Sequence, residues 1–286
     1  MTRHPGLLTG LLLAGVLGAG PAHAQAQTLK QYTSARQFHG EVRLDARIEF
    51  GGGSLQVQAG DPGSLYSMRL AYDAERFQPV SNWNADEGAV TLGLASRGSG
   101  SIGVRGTSQK QTADIRFSPQ ADLDLTLVLG AALSTVDLGG LRLSSLNLET
   151  GASQTEVRFS RKNAMRCTTA TFRAGAAALT VTGLGNSRCD TVTFEGGMGS
   201  VVLDYTGDWQ GDASLEATMA VGGLILRIPR AVGVRISTDQ FLTTFQPAGF
   251  TREGSRYISS SDAAAAHHLD VTLSTSLGGV TVEWVD

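Results

Sequence analysis

The two cysteines are the most informative of the residues that could do chemistry. Cys167 and Cys189 are the only cysteines in the 286-residue chain, and each precedes a glycine, Gly175 or Gly197, by the same interval. A Cys-x-x-Cys spacing is absent, so the pair does not resemble a zinc or redox motif. Equal spacing instead puts both cysteines at one position of two successive repeats, where a disulfide can form. Two buried thiols that simply pack remain the alternative.

Four charged residues are predicted to lie on one outward face. Asp137 and Arg158 occupy equivalent positions of neighbouring repeats, as do Asp204 and Arg227. A glycosidase needs two carboxylates about 5–10 Å apart, whereas Asp137 and Asp204 would be separated by roughly 14 Å of stacked strands. We therefore expect a solvated ladder of opposite charges, worth ~0.2–1 kcal/mol per pair, with surface contact as its functional interpretation.

Trp209 is the aromatic residue best placed for contact with a sugar or a protein. It lies in the turn sequence TGDWQGD, between two stretches of strand-like alternation. The alternative is that the indole packs over a corner of the fold. Both interpretations stay open.

Other candidate motifs are incomplete, so the sequence predicts no catalytic residue, cofactor or metal. The Gly183-Leu184-Gly185 stretch lacks the Gly-Lys-Ser/Thr that would cradle a phosphate. The Gly196-Gly197-Met198-Gly199-Ser200 turn has serine where a calcium-binding repeat carries aspartate. Zinc could be considered at His267, His268 and Asp270, but adjacent histidines on a strand point to opposite faces.

A repeat of about 22 residues must position these side chains. Each copy has an apolar-polar-apolar triplet, a small turn rich in the chain's 36 glycines, and a second such triplet. The first triplets begin at Leu125, Leu146, Ala170, Val192 and Leu215, and the second at Val136, Val157, Val181, Leu203 and Leu226. Period-two alternation predicts strands, and aligned columns favour a right-handed parallel β-solenoid over an antiparallel sandwich.

The chain also divides into segments by composition. Residues 1–24 have a basic start, an apolar run and a small-x-small site, which is typical of a signal peptide. We expect residues 25–38 to be a flexible mature N-terminus and 39–118 to be an N-terminal β region. Residues 119–286 would form the solenoid, with an irregular insertion at 237–268 and a C-terminal capping strand. No second apolar span follows the signal, so no transmembrane segment is expected after cleavage.

The motifs at 130–141, 151–163, 175–188 and 197–209, followed by 225–235, resemble the toast-rack family. That family is related to the LiaF-like C-terminal domain and to bacterial adhesin domains. The resemblance implies a parallel β-solenoid in a bacterial envelope, with residues 39–118 as the family's N-terminal region. It brings no catalytic residue with it.

The sequence thus predicts a non-enzymatic, exported protein whose scaffold contacts envelope proteins or cell-wall polysaccharide. The alternative is a carbohydrate-active enzyme on a parallel β-helix. The net charge of −3 and the lack of a block of like charge argue against nucleic acid as a partner.

Overall fold

The computed structural model describes residues 29–97, 111–240, 245 and 248–286. These residues form sixteen β-strands in one sheet and two 3₁₀ turns, at Leu184–Asn186 and Asp262–Ala264, without an α-helix. The predicted all-β class is confirmed. The strands are β1 (Lys30–Gln37), β2 (Arg43–Ala59), β3 (Ser64–Tyr72), β4 (Phe77–Asn84), β5 (Ala89–Ser96), β6 (Thr112–Phe117), β7 (Asp122–Asp137), β8 (Arg142–Thr150), β9 (Gln154–Arg158), β10 (Cys167–Thr182), β11 (Cys189–Asp204), β12 (Ala213–Pro229), β13 (Gly233–Gln240), β14 (Phe250–Glu253), β15 (Arg256–Ser259) and β16 (His268–Val285).

The centre of the fold is a stack of bent layers, here called rungs, that pair in parallel. The rungs are β2, β7, β8 with β9, β10, β11, β12 and β16, in that spatial order. The first half of each rung lies on one face of the stack and the second half on another. The register aligns the predicted first triplets, because Leu125, Leu146, Ala170, Val192 and Leu215 follow one another across the sheet. The second triplets are aligned in the same way.

The interior consists of columns of apolar side chains that run along the stack. Strand alternation turns every second residue of a rung inward, so successive rungs bring equivalent residues into contact. One column, all at most 3% exposed, contains Ile48, Leu127, Leu148, Phe172, Phe194, Ala217 and Leu273. Burying each large member stabilises the fold by about 1.5–3 kcal/mol relative to exposure.

Short strands extend the stack at its N-terminal end. The first half of β2 pairs with β5, which pairs with β4, and the second half pairs with β6, which is followed by β3 and β1. The strand β1 corrects the expectation that residues 25–38 are flexible, because Lys30–Gln37 pairs antiparallel with β3. The polar composition of β1 gives no strand-like alternation in the sequence. Backbone pairing at an edge does not require apolar side chains.

The predicted division between residues 39–118 and 119–286 runs through one continuous sheet. Arg43 to Val57 of β2 pairs in register with Asp122 to Val136 of β7. The Ala46-Arg47-Ile48 triplet therefore occupies the same columns as the first triplets of later rungs. The first rung is β2, although the glycine- and serine-rich stretch after β5 separates it in sequence from the others.

The C-terminal end departs from chain order. The last strand, β16, lies between β12 and β13, so on the first face β13 continues the stack beyond the predicted capping strand. The insertion predicted to be irregular contains a hairpin of β14 and β15, which turns at Gly254 (φ +61°) and pairs with β13. On the second face, the ring of Trp284 in β16 stacks on Phe250 at 5.2 Å, and its Nε1 donates to the carbonyl of Ala248 (2.8 Å).

The predicted signal peptide, residues 1–24, lies outside the residues that the structure describes. None of the described residues belongs to a helix long and apolar enough to cross a membrane.

Glycine is required where the rungs bend from the first face to the second. Gly199, Gly222 and Gly278 stand next to one another in register, with φ of +145°, +137° and +138°. A Cβ on any of them would overlap the carbonyl of the preceding rung, at Ala177, Gly199 or Gly222. The repeated glycine thus reflects the close approach of two backbones as well as a left-handed conformation.

Replacing Gly222 with alanine is expected to destabilise the protein by at least about 1–3 kcal/mol, because the residue must hold a positive φ and overlap a neighbouring carbonyl. The measurement is the midpoint of thermal or urea unfolding. The matched control is Gly223→Ala in the same strand, where a Cβ meets nothing within 4 Å. Equal stability of the two variants would contradict the close packing of the corners.

Candidate functional site

The two cysteines form the disulfide that their spacing predicts. Cys167 opens β10 and Cys189 opens β11, and they are direct partners in the parallel register with a Cα–Cα distance of 4.1 Å. Both are buried, at 0% and 4% exposed. The bond links two neighbouring rungs and closes a loop of 22 residues.

The structure places Asp137 beside Arg158, but the expected ion pair is not their main interaction. Arg158 makes a bidentate pair with Glu156 at 2.6 Å, and this hydrogen bond holds the pKa of Glu156 below its ordinary value. The Asp137 carboxylate instead accepts from the Gly139 backbone (2.9 Å) and the Ser160 hydroxyl (2.7 Å). Asp137 therefore orders the corner turn that follows its strand.

The second predicted pair shows the same correction. Asp204 and Arg227 are register partners, yet Arg227 pairs with Glu283 of the next rung at 2.8 Å, and that hydrogen bond raises the pKa of Arg227. Asp204 accepts from the backbone N–H of Thr206 (2.8 Å). The opposite charges of the predicted ladder do lie next to one another. However, the two aspartates bond to their own turns, and the two arginines pair with other carboxylates.

Trp209 lies at a crevice of about 430 Å³ between two corner loops, here called the corner crevice. Its Nε1 donates to the carbonyl of Tyr205 (2.9 Å), the two ring centroids are 6.0 Å apart, and the indole lies against Gly185. Packing over a corner and lining a cavity are thus both true of Trp209. The crevice is lined by Arg166, Leu184, Gly185, Ser187, Arg188, Cys189, Asp190, Val192, Tyr205, Trp209, Gln210, Gly211, Asp212 and Ala213.

Two residues of this crevice are in unfavourable states that sequence reasoning missed. Arg188 has φ +56°, the one positive value of a non-glycine residue in the described part of the chain. Such a conformation costs about 1–3 kcal/mol. Tyr205 is 1% exposed, and its hydroxyl has no hydrogen-bond partner within the described residues. Burial raises the pKa of this phenol, so it stays a neutral group.

An exposed apolar column runs along the corner on the outer surface of the stack. Ala176, Met198, Val221 and Leu277 are partners in register on four adjacent strands. Met198, Val221 and Leu277 are 61%, 43% and 51% exposed. The sequence carried a signal for this column, because an apolar residue precedes the corner glycine in three successive copies.

A pair of carboxylates also faces outward near the start of the stack. Asp45 and Asp124 are register partners on β2 and β7, and Asp124 pairs with Arg43 at 2.9 Å. Desolvation, together with the charge of Asp124, raises the pKa of Asp45. Among the described residues, no group of three or more His, Cys, Asp or Glu side chains is arranged to hold a metal.

Removal of the disulfide should lower stability by roughly 3 kcal/mol, because the closed loop restricts the unfolded chain. The measurement is the unfolding midpoint with and without a reductant. The double variant Cys167→Ser/Cys189→Ser should match the reduced protein and be insensitive to the reductant. A midpoint of the oxidised protein equal to that of the double variant would contradict a stabilising bond.

Asp45→Asn is expected to raise the melting temperature at pH 7, by the equivalent of at most about 1 kcal/mol, since it removes repulsion from Asp124. The folded pKa of Asp45 is raised, so its unfavourable effect is present above that pKa and disappears as the pH falls below the unfolded value near 4. The gain should therefore vanish below about pH 4. Asp122→Asn is the control. It removes a 2.7 Å pair with Arg142 and should give no gain at pH 7.

The comparisons with known proteins agree with this geometry. The family model described as the N-terminal domain of toast_rack, DUF2154, matches residues 24–182, which include β1 to β10. None of the curated proteins compared matches the sequence.

A solved structure with a TM-score above 0.5 shares the fold. A "putative cell adhesion protein" from Clostridium sporogenes is 15% identical, with a TM-score of 0.51, and the match covers 90% of this chain and 100% of the other. A "putative adhesin" from Bacteroides fragilis is 13% identical with a TM-score of 0.40, covering 89% of this chain and 97% of the other. Because the family match covers more than half of the sequence, the chain belongs to the toast-rack family.

Proposed function

We propose that this chain is an exported, non-enzymatic protein of a bacterial cell envelope. Its right-handed β-solenoid, with rungs of about 22 residues, serves as an adhesin-like scaffold for contact with proteins or cell-wall polysaccharide. Residues 1–24 act as the signal peptide, and the mature protein works in the periplasm or at the cell exterior.

The disulfide supports the proposed compartment. Disulfides persist in secreted and periplasmic proteins and are rare in the reducing cytoplasm. Cys167 and Cys189 are joined and buried, so the bond belongs to the folded core. An exported protein that meets variable conditions gains from such a bond between rungs.

The observation that carries the proposal is the exposed apolar column. Three successive rungs each expose a large apolar side chain to solvent at this corner, namely Met198, Val221 and Leu277. Scattered exposed apolar residues need no explanation, whereas a contiguous set marks a contact surface. The adjacent glycines let the backbones of successive rungs approach closely at this corner, so the column stands on tightly packed main chain. It therefore presents a preformed surface to a protein partner.

Likeness to the Clostridium sporogenes structure is at a level that shows the fold alone. The description of that protein as concerned with cell adhesion belongs to that protein. We propose a similar role for this chain because its scaffold carries the exposed apolar column.

The enzyme alternative is favoured by one specific feature, the Asp45 and Asp124 pair. Two adjacent carboxylates, of which Asp45 has a raised pKa, could act as acid and base. However, the pair lies on the outer surface of two strands, and Arg43 already binds Asp124. Asp190 in the corner crevice is likewise paired, with Arg166 at 2.8 Å. Binding explains these arrangements better than hydrolysis does.

The test is co-sedimentation of the purified protein with isolated bacterial envelopes. We expect the wild-type protein to sediment and the variant Met198→Ser/Val221→Ser/Leu277→Ser to bind roughly tenfold more weakly, since it loses the apolar contacts. Leu133→Ser is the matched control, because Leu133 is 53% exposed but does not belong to the column.

Two results would make the proposal wrong. One is a wild-type protein that stays in the supernatant with every envelope fraction. The other is the release of reducing ends from purified cell wall, especially if Asp45→Asn or Asp124→Asn abolished it, since that would identify an enzyme.

A further inference from the structure

The surface around the exposed apolar column carries no charge. The column crosses residues 174–182 of β10, 196–203 of β11, 217–226 of β12 and 271–282 of β16, and none of these four segments contains Asp, Glu, Lys, Arg or His. The cores of protein–protein interfaces are depleted of charged residues in the same way. A partner that lies on this surface therefore presents an uncharged face of its own.

A second column, made of small residues, runs directly beside the apolar one. Two residues after each member of the apolar column, the four strands carry Ala178, Ser200, Gly223 and Gly279, which are also partners in register. We call this set the small column. It is flat, so the large side chains of the apolar column stand above it.

Two glycines of the small column have no role within the chain itself. A Cβ on Gly223 or Gly279 would meet nothing within 4 Å, and neither residue has a positive φ. Neither the backbone conformation nor internal packing therefore requires glycine there, in contrast to Gly222 and Gly278. Glycine inside a strand weakens it, and it often marks a place where another backbone approaches closely.

The two columns are complementary in spacing. The large side chains repeat at the distance between strands, about 4.8 Å, and the small residues repeat at the same distance about 6.6 Å further along the strands. A two-fold axis parallel to the stack would place the apolar column of each copy over the small column of the other. Each rung would then meet the equivalent rung, which is the isologous contact found in most homodimers.

From this complementarity we infer that the partner of the apolar column is a second copy of this chain, held in a closed two-fold pair. The inference rests on the proposed function, because it names the protein that the column contacts. The large side chains of each copy pack over the small column of the other, and Gly223 and Gly279 let the two backbones approach.

The size of the uncharged surface sets the strength of the pair. Four strands about 4.8 Å apart, with eight residues of about 3.3 Å each, offer roughly 500 Å² per copy. A standard stable interface uses about 800 Å² per partner. The pair is therefore weak and reversible. It forms where copies are held close together, as on a cell surface, since a high local concentration compensates for low affinity.

The experiment is sedimentation velocity of the purified protein over a series from low micromolar to millimolar concentration. We expect the mean mass to rise from that of one copy towards that of two copies and no further, because a two-fold pair is closed. The variant Gly223→Gln/Gly279→Gln should associate at least tenfold more weakly, since its side chains occupy the space that the partner needs. Its unfolding midpoint in dilute solution should equal or exceed that of the wild-type protein, because two strand glycines are replaced.

Gly211→Gln is the matched control. A Cβ on Gly211 also meets nothing within 4 Å, but this glycine lies in the loop before β12, away from both columns. The control should associate like the wild-type protein.

Four results would overturn the inference. They are a wild-type protein that is monomeric at every concentration, a double glutamine variant that associates like the wild type, and growth beyond two copies. The fourth is binding of the monomer to phosphatidylcholine vesicles that is lost in Met198→Ser/Val221→Ser/Leu277→Ser, since that would assign the column to a membrane.

Envelope co-sedimentation separates this inference from the proposed function. Sedimentation of a protein that is monomeric at every concentration refutes the pair and keeps the scaffold. Pairing without sedimentation keeps the pair and refutes the envelope role.

Discussion

Parallel pairing of each rung with the next is the interaction on which the rest of the structure depends. The backbones approach so closely at the corners that only glycine fits where Gly199, Gly222 and Gly278 meet the carbonyl of the preceding rung. Elsewhere the same pairing stacks apolar side chains into columns, and the hydrophobic energy of one rung becomes available only when its neighbours are in place. Register, core and corners therefore form together.

The ends of the stack show how an open sheet is completed. At the N-terminal end, β4 and β5 extend one face of β2, while β6, β3 and β1 extend the other. At the C-terminal end, β16 inserts between β12 and β13, and a hairpin continues the first face. Short, polar or twisted end strands limit unwanted pairing with other chains. The insertion of β16 also ties the C-terminal strand to the interior of the sheet.

The corner crevice and the exposed apolar column both lie at corners, where the rungs bend. Strands place their outward side chains in flat columns, and these columns are occupied mainly by hydrogen-bonded polar residues. Loops between strands can instead enclose space, as the loops beside the disulfide do around Tyr205 and Trp209. The apolar column at the opposite bend depends on three residues that share one position of the repeat. The disulfide lies at one wall of the crevice, so the same bond links two rungs and ties that wall to the core.

The sequence by itself determined the all-β class, the alignment of the triplets and the shared repeat position of the two cysteines. These features follow from local alternation and from a constant spacing, and both are visible in a repetitive sequence. Tertiary structure alone decided that β2 is the first rung, that Lys30–Gln37 is a strand and that β16 lies inside β13, because pairing between distant segments leaves no periodic trace. It also decided the ionic partners of Arg158 and Arg227, which choose among several nearby carboxylates by side-chain reach. The corner crevice belongs to the same class, since it exists only where two loops from successive rungs meet.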